Sequence, residues 1–199
     1  MKKEQFLICG IDELPKFIEQ HTPTHVITLA REGIPSNDAV KVVDLFDYPI
    51  IHHIEHFDDV DSLDKKYYES NEGYREIEIT FPDLSHVKRV KMLSDETFSK
   101  ESKIITHCSA GISRSTAMTF GLMVYNDINK MEAFEYITHI RPHHYMNSLV
   151  LKQWDTIMEF EKTDSLVYLN KQWNEFIEGK LITRENSGDI VEEFITNFK

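Results

Sequence analysis

The segment Lys103 to Ser115, reading KIITHCSAGISRS, constrains the fold of this 199-residue chain more than any other stretch. A short apolar run, Ile104-Ile105, leads into His107-Cys108. A loop containing Gly111 follows, then Arg114-Ser115 and the apolar segment Thr116 to Tyr125. This order predicts a buried strand, a tight loop and a buried helix. Such a junction gathers backbone N–H groups around one centre, and the helix N-terminus adds partial positive charge, so the segment suits an anion. A cysteine opens the loop and an arginine closes it.

That pairing has a chemical logic. Loop amides and a helix N-terminus favour a thiolate over a thiol, which would make Cys108 a nucleophile facing the bound anion. The planar fork of Arg114 can take two oxygens of a phosphate at once, which a lysine cannot do. C-x5-R spacing puts both groups on one loop around one centre. A nucleophile beside an oxyanion cradle is the equipment for phosphoryl transfer through a covalent cysteinyl-phosphate.

His107-Cys108-Ser109-Ala110-Gly111-Ile112-Ser113-Arg114-Ser115 resembles the H-C-x-x-G-x-x-R-[ST] signature of cysteine-dependent protein tyrosine and dual-specificity phosphatases. The full signature is far more specific than a bare C-x5-R. The resemblance implies Cys108 as nucleophile and Arg114 as ligand of the phosphate and the transition state. It implies Ser115 as the hydroxyl that helps the thiolate leave, and His107 as the residue that orients the cysteine. Ser109, Ala110, Gly111, Ile112 and Ser113 would cradle the phosphate together with Arg114. The bland alternative is a buried cysteine before an ordinary helix.

Composition sets wider bounds. Hydrophobic residues make up 41% and charged residues 28% of the chain, ordinary for a globular protein. The formal net charge of −12 argues against broad nucleic-acid binding or attraction to anionic membranes. Two cysteines, Cys9 and Cys108, make no disulfide framework, so a cytoplasmic, soluble protein is expected. No apolar run approaches the roughly 18 residues of a spanning helix, and Phe6-Leu7-Ile8-Cys9 is short for a signal peptide.

Taken in order, Phe6 to Ile11 and Thr24 to Ala30 read as strands flanking a helix over Asp12 to Gln20, with Pro15 in its first turn. Val40 to Leu45 reads as a further short strand and Ile50 to Phe57 as the next. Residues 61–79 form a polar connection. Helices follow from Asp83, over Thr116 to Tyr125, from Asn129 (capping-box spacing to Glu132) and over Asn147 to Phe160. Strands alternating with helices predict an α/β fold with a mostly parallel sheet, whose ligands bind beyond the carboxyl ends of the strands. A catalytic domain over 1–161 is expected. Beyond it, 162–199 carries two amphipathic stripes, Leu166, Leu169, Trp173, Phe176, Ile177 and then Ile190, Val191, Phe194, Ile195, Phe198. These predict a helical extension packed on the domain or forming a partner surface.

Loss of a phenolate leaving group benefits from a positioned acid. Asp58, Asp59, Asp61 and Asp64 all follow the Ile50 to Phe57 strand. Small bacterial phosphatases of the family carry an aspartate before Ile or Val there, so the resemblance points to Asp59, with Asp58 next. Arg31, after a strand that should end at the site, would hold either substrate phosphate or a neighbouring acid, or else be an ordinary solvated loop residue. His52, His53 and His56 invite a metal reading, but strand alternation separates them and no completing ligand is evident. No metal or cofactor is expected. Cys9 reads as an inert core cysteine, with a regulatory disulfide to Cys108 as the alternative.

The uncharged loop residues Ser109, Ala110, Ile112 and Ser113 lean toward phosphoprotein, since lipid-specific relatives often place lysines there. The expected activity is hydrolysis of phosphotyrosine, and of phosphoserine or phosphothreonine if the specificity is dual. The alternatives are a non-hydrolytic phosphate-binding adaptor and a phosphoinositide or nucleotide phosphatase.

Overall fold

The computed structural model describes residues 1–31, 49–60, 79–183 and 185–198. The strand expected over Val40 to Leu45, the polar connection up to residue 78 and the acids Asp61 and Asp64 lie outside these residues. Among the described residues four parallel strands form the sheet: β1 (Phe6–Gly10), β2 (His25–Ala30), β3 (Ile51–His56) and β4 (Ile104–Cys108), in spatial order β1-β4-β2-β3. Among the described residues seven α-helices accompany it: α1 (Leu14–His21), α2 (Leu84–Thr97), α3 (Arg114–Tyr125), α4 (Lys130–Ile140), α5 (Ser148–Met158), α6 (Leu166–Ile177) and α7 (Ser187–Phe198). The chain is thus α/β with an all-parallel described sheet. None of its described helices is long and apolar enough to cross a membrane.

β4 lies between β1 and β2, and every one of its residues is buried. Its alternation divides the interior. Ile104 and Cys108 join a large cluster with Phe6, Ile8, Ile27 and Leu29, on the face covered by the later helices. Ile105 joins Cys9, Leu14, Ile18 and Val26 beneath α1. Cys9 and Cys108 therefore belong to opposite faces of the sheet. In the β1–β4 register Cys9 stands beside His107, while Gly10 stands beside Cys108. This geometry is that of the inert core cysteine, and burial pushes the Cys9 thiol up to about 12.

Local signals behave as their chemistry dictates, with small displacements. Pro15 occupies the first turn of α1, which starts at Leu14 after a 3-10 turn over Ile11–Glu13. Asp83 caps α2 by accepting from the Ser85 and His86 amides. Asn129 caps α4, accepting from the Met131 and Glu132 amides, but the Glu132 carboxylate reaches Lys3 at 3.2 Å instead of closing a capping box. In α3, a Cβ at Gly121 would fall 2.1 Å from the Trp154 indole, so only glycine lets α3 and α5 pack at that separation.

The described side chains of the two C-terminal stripes face this same interior. Leu166, Leu169 and Trp173 of α6 and Val191 and Phe194 of α7 are all buried in the large cluster. Trp173 packs edge-on against Phe134 of α4 at 5.2 Å and Phe194 at 5.3 Å. Asp155 of α5 accepts from the Leu166 and Val167 amides at 2.6 and 3.1 Å, fastening the start of α6.

Candidate active site

Strand β4 ends at Cys108, and α3 begins at Arg114, so the intervening loop turns the chain back within six residues. Gly111 makes this turn possible. Its φ is +73°, and a Cβ there would lie 2.6 Å from backbone atoms of Cys9 and Gly10, so a side chain is excluded on both counts. Three of the loop's five carbonyls are engaged by protein amides. Ser109 O accepts from Ile11 N at 3.0 Å, Ile112 O from Tyr145 N at 3.1 Å, and Ser113 O from Ala117 N at 3.1 Å. Thr116 Oγ1 adds bonds to the Ile112 and Ser113 carbonyls. Among the described residues the amides of 109–113 donate to no protein acceptor. With the Ser109, Ile112 and Ser113 carbonyls engaged elsewhere, the loop can offer N–H groups to an anion.

Cys108 is 2% exposed, and its Sγ lies 3.3 Å from the Ser115 hydroxyl in the first turn of α3. Arg114 is 4% exposed and donates from Nη1 to Phe57 O at 2.9 Å. That bond ties the arginine to the segment after β3, where the acidic residues lie. Ser113 stands at the N-cap of α3 but makes no capping bond. Its hydroxyl instead donates to Asp59 Oδ1 at 2.7 Å, so the first-turn amides of the helix are left uncapped by it.

The structure separates the two neighbouring acids. Asp59, its side chain 41% exposed, faces the loop: Oδ2 lies 3.8 Å from Arg114 Nε, and Oδ1 also accepts from Asn147 Nδ2 at 3.1 Å. Asp58 is buried and turned away. It pairs with Arg31 Nε at 2.5 Å and accepts from Thr80 N at 2.9 Å. Of the readings open for Arg31, contact with a neighbouring acid is the one observed.

Asn147 was missed as a site residue by sequence reasoning. It is buried, caps α5 by accepting from Val150 N at 3.1 Å, and donates to Val60 O at 3.1 Å as well as to Asp59. An asparagine at a helix start is sufficiently explained by capping, so no signal in the sequence pointed to its second task.

His107 is fully buried, and its Nε2 lies 2.7 Å from Thr28 Oγ1. Burial, with a smaller contribution from nearby His52, holds its pKa down at about 4. The β3 histidines do not converge: His52 meets Thr28 on the α1 face at 2.8 Å, and His53 meets Glu55 at 2.7 Å. Among the described residues no group of three or more His, Cys, Asp or Glu side chains is placed to hold a metal ion.

The family model described as "Dual specificity phosphatase, catalytic domain" matches residues 39–163. No curated protein matches the sequence. Similar solved structures include human DUSP28, at 12% identity and a TM-score of 0.52, covering 78% of this chain and 92% of that one. The Yvh1 phosphatase domain from Chaetomium thermophilum is similar at 15% identity and a TM-score of 0.51, covering 78% and 91%. A mouse putative dual specificity phosphatase aligns at 12% identity and 0.51, covering 78% and 82%. At these identities the likeness is one of fold.

Proposed function

The chain belongs to the dual specificity phosphatase catalytic domain family, and from that premise we propose that it hydrolyses phosphotyrosine in protein substrates through a cysteinyl-phosphate. The observation that carries this reading is the placement of Cys108 Sγ, 3.3 Å from Ser115 Oγ, at the start of a loop whose Ser109, Ile112 and Ser113 carbonyls are engaged while its amides have no protein acceptor. In the first step the Cys108 thiolate attacks phosphorus. The S–P bond forms as the P–O bond to the tyrosyl oxygen breaks, and Asp59 gives its proton to the departing phenolate. The amides of Ser109, Ala110, Gly111, Ile112 and Ser113 and the guanidinium of Arg114 take up the charge on the equatorial oxygens. In the second step the Asp59 carboxylate accepts a proton from water as that water attacks phosphorus. The S–P bond breaks, inorganic phosphate leaves, and the Ser115 hydroxyl donates to the returning thiolate.

Asp59 fits its role better than Asp58 because it is the acid that reaches the loop while remaining open to solvent. Asp58 is occupied with Arg31 and the Thr80 amide. The exposed, uncharged Ser109, Ala110 and Ile112 at the mouth of the loop favour a phosphoprotein over a polyanionic lipid headgroup.

The test compares wild type and Cys108→Ser on a panel of phosphopeptides, inositol lipids and RNA 5′-phosphates. Wild type is expected to turn over phosphotyrosine peptide fastest, and Cys108→Ser to bind that peptide with no turnover. Slow turnover unaffected by the substitution would instead indicate a phosphate-binding adaptor. Faster release from lipid or RNA would overturn the substrate class.

A further inference from the structure

We propose that a cavity beside the phosphate loop is a specificity subsite, in which the loop and the C-terminal extension together take an apolar side chain flanking the substrate's phosphotyrosine. The inference rests on the phosphatase reading given above. The cavity measures about 340 Å³ and shares two residues, Ala110 and Ile112, with the loop. Both are exposed, Ile112 by 37%. Its volume lies near the lower end of the range for small-ligand pockets, about 300–1,000 Å³. A phosphotyrosine bound by the loop amides has this opening at its side. An extended chain advances at most about 3.3–3.6 Å per residue, so the residues next to the phosphotyrosine are the ones within reach.

The remaining lining comes from two other segments. Ile140, at the end of α4, and Pro142 just after it add apolar surface. Thr183 and Glu185, from the segment joining α6 to α7, complete it. That segment is anchored. Ile182 is 4% exposed and belongs to the large core cluster. Thr183 N donates to Asn186 Oδ1 at 2.6 Å, Asn186 N donates back to Thr183 Oγ1 at 3.3 Å, and Asn186 Nδ2 donates to Leu181 O at 3.0 Å. All of it lies past residue 163, where the family match ends, so this part of the lining is supplied by the extension of this chain.

The described side chains favour an apolar occupant over an anion. Arg141 lines the cavity, but its guanidinium is already engaged: Nε donates to Ile8 O at 3.0 Å and Nη2 to Glu13 Oε2 at 2.7 Å. His144 is buried, and burial lowers it to about 3, so it brings no positive charge at neutral pH. Glu185 adds a carboxylate to the lining. An acidic residue or a second phosphate would enter without a described cation to pair with, which is costly. An apolar side chain would instead be covered by Ala110, Ile112, Ile140 and Pro142, and gains by leaving water.

Phosphotyrosine peptides with each flanking residue set in turn to leucine, alanine or aspartate test this on the full chain. Para-nitrophenyl phosphate, which has no flanking residue, is run beside them. Wild type is expected to favour leucine over alanine at one flanking position by about tenfold or more in kcat/KM, as an apolar pocket does for added methylenes, and to disfavour aspartate there. Thr183→Trp and His143→Trp both place bulk in the cavity, one from the extension and one from the segment after α4. Each should bring the leucine and alanine peptides level. Each should also turn over the aryl phosphate at the wild-type rate, which reports an intact fold and loop. A preference for aspartate, equal rates for all three residues, or a leucine preference that survives both substitutions would overturn the inference and leave the phosphatase reading standing. Wild type that turns over neither the aryl phosphate nor any peptide would remove that reading, and the subsite with it.

Discussion

At the residue scale the departing phenolate depends on Asp59 and its neighbours. As the general acid, Asp59→Asn should slow phosphotyrosine peptide turnover by about 10²–10⁴-fold while leaving peptide binding intact. The loss should shrink for an aryl phosphate whose leaving group is a weak base. Asp58→Asn should show no such dependence on the leaving group, because Asp58 is committed to Arg31 and the Thr80 amide. A large, leaving-group-dependent loss in Asp58→Asn would shift the assignment by one residue. The signature made Cys108, Arg114 and Ser115 legible in the sequence, since each must stand on one loop at fixed spacing. Asn147 was not legible. Its contact with Asp59 spans 88 positions and depends on where α5 begins, which no local pattern encodes.

At the element scale the loop is held by the turn after β1, by the segment before α5 and by the first turn of α3. The carbonyls of Ser109 and Ile112 are engaged by Ile11 and Tyr145, from segments far apart in sequence. Asn170 of α6 donates to Met146 O at 3.2 Å, one residue before Asn147, so the C-terminal helices brace the segment that holds Asp59. The amphipathic stripes of α6 and α7 announced which faces would be buried, because helical period alone determines that. What they would be buried against depended on tertiary packing and was left open between the domain and a partner. We regard 162–199 as an extension that stabilises the catalytic domain. Trp173→Ala should then cost about 3–5 kcal/mol, as removal of a large aromatic side chain from a core does. Urea denaturation monitored by far-UV circular dichroism measures this. A cost below about 1 kcal/mol would place the stripe outside the cooperative core.

At the scale of the whole molecule, stability should depend on acid in a defined direction. His107 and His144 are buried, and burial lowers them from 6.5 to about 4 and about 3. Below the ordinary value the unfolded chain takes up protons that the native state refuses, so stability is fully present above about pH 6.5 and falls as pH drops toward about 4. Each histidine contributes a slope of about 1.4 kcal/mol per pH unit in that window. His25 and His52, lowered by burial, act with the same sign, and Asp155, raised by burial, acts against them. Urea midpoints at several pH values between 4.5 and 7.5 should decline steadily on acidification; a flat profile would mean these histidines are not held neutral in the native state. The parallel order of the sheet was legible from strands alternating with helices, and it brings the carboxyl ends of β2, β3 and β4 to one end of the sheet. In the proposed reaction phosphate passes through Cys108 itself. Rapid acid quench of a single turnover of phosphotyrosine peptide, followed by mass spectrometry of the peptide spanning Cys108, tests it most directly. One phosphate on Cys108 is expected within the first turnover, absent in Cys108→Ser and slow to form in Asp59→Asn. Phosphate release with no phosphocysteine at any time, or undiminished release by Cys108→Ser, would contradict it.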